Sequence, residues 1–237
     1  MRLKNKTALI TGGSKGIGKG IAKAYLNEGA NVVICARNGE ELKETCKDLS
    51  AFGNTDYIKA DITSINDCNS VYDYISSKYE KLDVLVNNAS ILGVKANIED
   101  YPIDIWNNVI EINLNAQFYI SKTLLPLLKK SKNSSIINVS STVGREGRAG
   151  WGAYSVSKFG LEALTQILSQ ELTESKIRVN SVNPGGTRTD MRASAYPDED
   201  PNTLPTPDNI APVFVYLASD ESIGVTSTEF NARDYNN

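Results

Sequence analysis

TALITGGSKGIG, residues 7–18, decides the fold. Thr7 to Thr11 are apolar or β-branched, and the run is short enough for a buried strand. The glycines that follow allow a tight turn, and a helical pattern begins at about Gly16 and runs to Gly29. Strand, glycine turn and helix together open a βαβ unit. In such a turn the backbone can approach a pyrophosphate closely, and the helix N-terminus offers free N–H groups and a favourable dipole. Gly12, Ser14, Lys15, Gly16, Ile17 and Gly18 are therefore candidate cofactor contacts. The spacing is not G-x-G-x-x-G, so the place of the turn after the first strand carries the reading more than the glycines themselves.

Outward from this stretch the same alternation repeats. NVVICA (31–36) reads as a strand, GEELKETCKDLSA (39–51) as a helix, DYIKAD (56–61) as a strand, and 64–79 as a helix. LDVLVNNA (82–89) is a fourth strand, and a long helix is expected over about 102–130. SSIINVSS (134–141) and IRVNSVNP (177–184) are strands flanking a helix over about 152–173. Strands apolar on both faces, alternating with helices, imply a parallel sheet covered on both sides. Right-handed crossovers then make it doubly wound. The expectation is one α/β domain over 1–237, a Rossmann-type sheet of about seven strands with helices on both faces. No repeat or linker divides it. The proline-rich AYPDEDPNTLPTPDN (195–209) falls where a connection crosses the carboxyl edge of the sheet, so 191–209 is read as a substrate-site loop.

Composition narrows the function classes. Hydrophobic residues make up 41% and charged residues 22%, and the net charge is −3. No basic footprint for nucleic acid is present; Lys129, Lys130 and Lys132 read as a solvated helix end. No apolar stretch approaches the ~20 residues that span a bilayer. The N-terminus lacks the features of a secretory signal. Cys35, Cys46 and Cys68 form no CxxC pair, and the chain has no histidine, so no metal site is expected. A cytoplasmic location fits.

The end of the second strand separates the two nicotinamide cofactors. An acid there would accept from a ribose 2′-OH, whereas a cation would hold a 2′-phosphate. This chain has Arg37 just beyond the strand, and Lys15 in the glycine loop can approach the same phosphate. Two cations without a competing carboxylate favour NADP(H) over NAD(H). Glu40 and Glu41 are expected on the next helix, pointing away.

Without histidine, acid–base chemistry near neutral pH needs another carrier. YSVSK, residues 154–158, places Tyr154 and Lys158 four apart on one helix face. Free tyrosine titrates near ~10. A neighbouring ammonium, together with the positive ring of an oxidised nicotinamide, is expected to lower that value.

Five motifs now stand in order: TG-x-x-x-G-x-G at 11–18, NNA at 87–89, a serine near the end of the fifth strand, Y-x-x-x-K at 154–158 and NPG at 183–185. Together they resemble the short-chain dehydrogenase/reductase family over about residues 5–220, and in particular a bacterial subgroup whose substrates are poorly assigned. The resemblance implies a catalytic set of Asn113, Ser141, Tyr154 and Lys158, with Ser140 the neighbouring alternative to Ser141. Asn113 would hold a water linking Lys158 to solvent. Asp61, with Ile62 beside it, would meet the adenine, and Asn87 would brace the fourth strand with Ala89 near the cofactor. Ile17, Pro184, Gly185 and Thr187 would line the nicotinamide, and Thr189 the phosphates or carboxamide. Ser90 replaces a usual glycine.

Candidate substrate contacts are Ile91, Val143, Trp151 and Tyr196, with Leu92 and Met191 close by and Arg145 and Arg148 as loop cations. The short, proline-rich 192–207 segment suggests a stiff, open entrance. The implied reaction is hydride transfer between NADP(H) and a small-molecule carbonyl or alcohol, that of a ketone or aldehyde reductase. The alternatives are a 3-oxoacyl-thioester (acyl-carrier-protein) reductase and, in another class, a non-catalytic NADP(H) sensor. A homodimer or homotetramer is expected. The C-terminal TSTEFNARDYNN (226–237) matches the family's last strand only loosely, which puts the tetramer in doubt.

Overall fold

In the computed structural model the alternation within β1 (Thr7–Thr11) sorts side chains to opposite faces of a sheet. Ala8 and Ile10 join the apolar layer of Ile21, Tyr25, Leu42 and Phe214, while Leu9 joins Val71, Ile75, Ile120 and Leu124. All of these are buried. Each buried leucine, isoleucine, valine or phenylalanine among them contributes about 1.5–3 kcal/mol by leaving water. A one-residue slip would exchange the two sets, so the register is strongly specified. The structure describes residues 1–235. Asn236 and Asn237, the end of the stretch read as a loose match to a last strand, lie outside the described residues.

Six further strands join β1 in one sheet, every neighbouring pair parallel: β2 (Asn31–Ala36), β3 (Thr55–Lys59), β4 (Val84–Asn87), β5 (Ser135–Val139), β6 (Arg178–Asn183) and β7 (Glu229–Asn231). Their order is β3-β2-β1-β4-β5-β6-β7. The winding reverses between β1 and β4, and a crevice opens there at the carboxyl ends of the strands. Helices α1 (Gly16–Asn27) and α2 (Gly39–Leu49) cover one face and α3 (Ile65–Tyr79) the other.

The long helix expected over 102–130 is present but divided. α4 (Ile103–Ile110) runs into a π-helical turn, Glu111–Asn115, before α5 (Ala116–Lys129). Asn113 sits inside that wider turn. A π-turn inserts one extra residue and swings side chains out of α-helical register, a device common at functional sites. α6 (Gly152–Glu171) then carries Tyr154 and Lys158. The 191–209 region folds as α7 (Asp190–Ala195), a single 3₁₀ turn at Pro201–Thr203 and α8 (Pro207–Ile210), and α9 (Pro212–Ala218) follows.

Four strands, β3 to β6, are shorter than expected, β4 by two residues at each end and β6 by one. β3 stops at Lys59, because Asp61 Oδ1 accepts from the Thr63 amide (3.1 Å) and hydroxyl (2.8 Å) and turns the chain into the Ser64-capped α3. β5 stops at Val139, although the Ser140 amide still donates to the Val182 carbonyl (2.8 Å). No described helix is long and apolar enough to cross a membrane.

Candidate active site

A cleft of about 1010 Å³ follows the carboxyl edge of the sheet from Arg37 to Tyr154. The glycine turn forms its floor. Gly12 has a φ of +62°, and a Cβ there would lie 2.9 Å from the Ala89 Cα. Gly18 lies under the turn rather than on the cleft wall, and a Cβ on it would stand 2.4 Å from the Gly12 carbonyl oxygen. Side chains are excluded at both places, and that brings backbone to the surface of the cleft. Lys15, which precedes the first turn of α1, makes no side-chain cap. The helix therefore presents uncapped N–H groups and its positive dipole end toward the cleft, as a pyrophosphate requires. This cradle fits a nicotinamide dinucleotide. Ser14, Gly16, Ile17, Asp61, Ile62, Ala89, Pro184 and Thr189, read from the sequence as cofactor contacts, also line the cleft.

Charge gathers at the Arg37 end. Arg37 and Lys15 are both exposed and both line the cleft, and Arg37 has no ion-pair partner among the described residues. The expectation that no carboxylate competes needs correction. Glu41 faces inward. Its Oε2 accepts from the Ser14 hydroxyl (2.9 Å), and its Oε1 lies 3.8 Å from the Lys15 Nζ. Adjacent helix residues differ by about 100°, so Glu40 points to solvent while Glu41 shares the inner face with Thr45. Thr45 in turn donates to the Ser14 carbonyl (2.7 Å).

At the other end α6 buries Tyr154 and Lys158 beneath the cleft. Burial pushes the Tyr154 phenol up to about 12, opposed by the neighbouring Ser141 hydroxyl. Burial sets the direction of this shift, and the Lys158 charge is not among its causes. Lys158 donates to the Val139 carbonyl (2.8 Å), and its Nζ stands 5.7 Å from the Tyr154 ring centroid. Burial pulls the Lys158 ammonium down to about 8, partly countered by Glu162 one turn further along the helix. Ser141 touches Tyr154, whereas Ser140 lines the cleft with its hydroxyl buried and unpartnered. Both serines expected from the sequence are therefore at the site, in different positions.

Asn113 is fully buried. Its Oδ1 accepts from the Ile91 amide (2.8 Å), and its Nδ2 donates to the Ile91 carbonyl (2.9 Å) and the Ser157 hydroxyl (3.2 Å). The side chain is held chiefly by Ile91. It clamps the loop after β4 against the π-turn and so positions the wall of the cleft.

An apolar cluster stands beside Tyr154. Val143 and Tyr101 are buried in it, with Ile91, Trp151 and Met191 packed around them. The Trp151 ring is 5.7 Å from Tyr154 and 6.0 Å from Tyr196. Lys95 lies over both outer rings, 5.2 Å from Trp151 and 4.5 Å from Tyr196, and donates to the Ala195 carbonyl. Arg192 stacks on Tyr196 and pairs with Glu199 through two bonds. These contacts tie the segment to Lys95 and Trp151 beside the pocket. Ile91 and Met191 line the cleft, while Trp151, Val143 and Tyr196 form the layer behind.

Other expected contacts stand further back. Asn87 is buried, donating to Ser121 (2.9 Å) and Asn138 (2.8 Å), and braces the strands. Asn88, which the sequence reading passed over, faces the cleft instead and donates to the Thr11 (2.8 Å) and Gly12 (3.1 Å) carbonyls. Alternation along the strand was the available signal, since neighbours point to opposite sides. Thr187 is buried, and its hydroxyl donates to the Pro184 carbonyl. Gly185 has a φ of +67° and lies beneath the Arg233 side chain. Arg145 turns away from the pocket, pairing with Glu162 (2.9 Å) and Glu229 (3.2 Å) and donating to the Phe230 carbonyl, so it fastens β7 to α6. Arg148 is half-exposed beside Glu146. Neither arginine faces the cleft. No described cluster of acidic or thiol side chains could hold a metal ion.

The sequence and fold match known proteins. A family model of short chain dehydrogenases matches residues 6–200. The chain is 39% identical to the oxidoreductase YciK of Escherichia coli (strain K12), over 98% of this chain and 93% of that one. It is 36% identical to the 3-oxoacyl-[acyl-carrier-protein] reductase FabG of Thermotoga maritima, over 95% of each. A short chain dehydrogenase from Shigella flexneri 2a, solved in complex with NADP, superimposes with a TM-score of 0.94 at 39% identity, covering 98% of this chain and 99% of that one. With these motifs in place on a seven-stranded parallel sheet, the protein belongs to the short chain dehydrogenase family of oxidoreductases.

Proposed function

We propose that the protein is an NADPH-dependent reductase of a ketone or aldehyde, acting reversibly on the corresponding alcohol. The observation that carries this reading is the pairing of Tyr154 with Lys158 and Ser141 at the buried end of a dinucleotide-shaped cleft. NADPH, when bound, supplies the hydride. Tyr154 stays protonated at neutral pH, because burial holds its phenol at about 12, so it is poised to give its proton to the carbonyl oxygen. Ser141, whose hydroxyl lowers the Tyr154 phenol against the effect of burial, steadies the oxygen of the substrate as negative charge grows there. Lys158 holds cofactor hydroxyls, and its charge supports the phenolate left after proton transfer. The clamp of Asn113 on Ile91 keeps the pocket wall in place.

Lys15 and Arg37 support NADP(H) over NAD(H), as does the NADP complex of the Shigella relative. A second reading, reduction of a 3-oxoacyl thioester on a carrier protein, draws support from the Thermotoga relative. A sensor role is disfavoured, because sensing needs no proton donor beside the nicotinamide. Self-association is part of the proposal, supported by exposed Phe118, Val156, Phe159 and Ile167 on α5 and α6. So is a cytoplasmic location, supported by three free thiols.

The test is NADPH consumption with a panel of ketones, aldehydes, diketones and 3-oxoacyl thioesters, using wild type and Tyr154→Phe. Turnover that disappears in the variant while NADPH still binds is the expected result. Equal turnover in both proteins would end the reading.

A further inference from the structure

We propose that Glu41 is a specificity-determining residue whose carboxylate opposes the 2′-phosphate of the cofactor and narrows the preference for NADP(H) over NAD(H). The proposal rests on the reading of the Lys15–Arg37 corner as the site of that phosphate.

The geometry at this corner is specific. One carboxylate engages two of the groups that would receive the phosphate. Glu41 Oε2 accepts the Ser14 hydroxyl proton at 2.9 Å, and Oε1 stands 3.8 Å from the Lys15 ammonium. Ser14 is buried, and its carbonyl is held by Thr45, so its hydroxyl cannot move far from Glu41. The glutamate backbone is fixed as well, because Asn38 Oδ1 caps the Glu40 and Glu41 amides at the start of α2. Glu41, Asn38 and Arg37 all line the cleft.

The two cofactors meet this corner differently. A ribose 2′-hydroxyl can donate to the carboxylate and leave both existing contacts intact. A 2′-phosphate brings close to two negative charges and offers acceptors where Glu41 is already an acceptor. To bind it, Ser14 and Lys15 must let go of Glu41, or the glutamate must swing out to solvent. Arg37 attracts the phosphate without this competition. The preference for NADP(H) is then the difference between two cations that attract and one carboxylate that repels.

The experiment is a titration of intact wild-type, Glu41→Gln and Glu41→Ala proteins with NADPH and NADH, following the fluorescence of the reduced nicotinamide. Glutamine keeps an acceptor for Ser14 and removes the charge. The NADPH Kd is expected to fall about tenfold in Glu41→Gln while the NADH Kd holds or rises, since a like charge near a phosphate is worth about that factor at a partly exposed site. Glu41→Ala is expected to shift the ratio in the same direction. An NADPH Kd that is unchanged or raised in Glu41→Gln would overturn the proposal. So would equal weakening of both cofactors in Glu41→Ala, which would make the glutamate a prop for the loop. The paired variant Lys15→Ala with Arg37→Ala tests the underlying reading separately: if it binds NADPH as well as wild type does, the phosphate lies elsewhere, whatever Glu41 does.

Discussion

The two ends of the cleft solve opposite electrostatic problems. At the Tyr154 end the titratable groups are buried, and burial governs them: the phenol is pushed up to about 12 and the ammonium down to about 8. At the Arg37 end the charges are exposed; Lys15 keeps 65% of its side-chain surface. Water and salt screen them, so charge count matters more than the exact place of any one group. Chemistry needs a group whose proton is tuned by several units, which calls for a dry site. Recognition of a phosphate needs net attraction and easy release, which a wet site supplies.

If this contrast holds, single changes at the dry end are severe and at the wet end mild. The largest effect is expected for Tyr154→Phe. Removing the proton donor should cut kcat about 10²–10⁴-fold with the NADPH Kd within about twofold of wild type. A variant that loses cofactor binding instead would mean that Tyr154 is there for packing.

The pH profile should carry the signature of the dry end. Lys158 is a cation whose value is lowered to about 8, so it is charged below that pH and neutral above it. The kcat/KM for cofactor reports groups of the free enzyme and should fall about tenfold per pH unit above 8. Lys158→Met should lack this limb. A profile flat to pH 10 would show that water reaches Lys158 and that the site is not dry.

Asn113→Ala lies between the two ends. It leaves the backbone groups of Ile91 without their partners, and unfolding should cost about 1–3 kcal/mol less. Thermal denaturation measures that loss. A rise in KM without a fall in kcat should accompany it, because the cleft wall loosens while the proton donor stays in place.

At the wet end Arg37→Ala should weaken NADPH about tenfold and leave NADH unchanged. The smallest effect is that of salt. Between about 0.05 and 0.5 M NaCl the NADPH Kd should rise severalfold, while kcat at saturating cofactor stays put. If salt changed kcat as strongly as Kd, the two ends would not be the separate regimes described here.

The sheet, the glycine turn and the Tyr154–Lys158 pair are legible in the residues alone. Each follows from local rules: short apolar, β-branched runs for the strands of residues 7–11 and 31–36, permitted φ for Gly12, and helical spacing for residues 154 and 158. The tertiary structure alone decided which neighbour faces the cleft. Asn88 rather than Asn87, Glu41 rather than Glu40, and the removal of Arg145 from the pocket to the β7 strand depend on how elements far apart in the chain dock. It also decided the sign of the Tyr154 shift. Helical spacing pointed to a nearby ammonium and a lowered value, but burial is a property of the whole packed domain, and desolvation sets the direction of the shift.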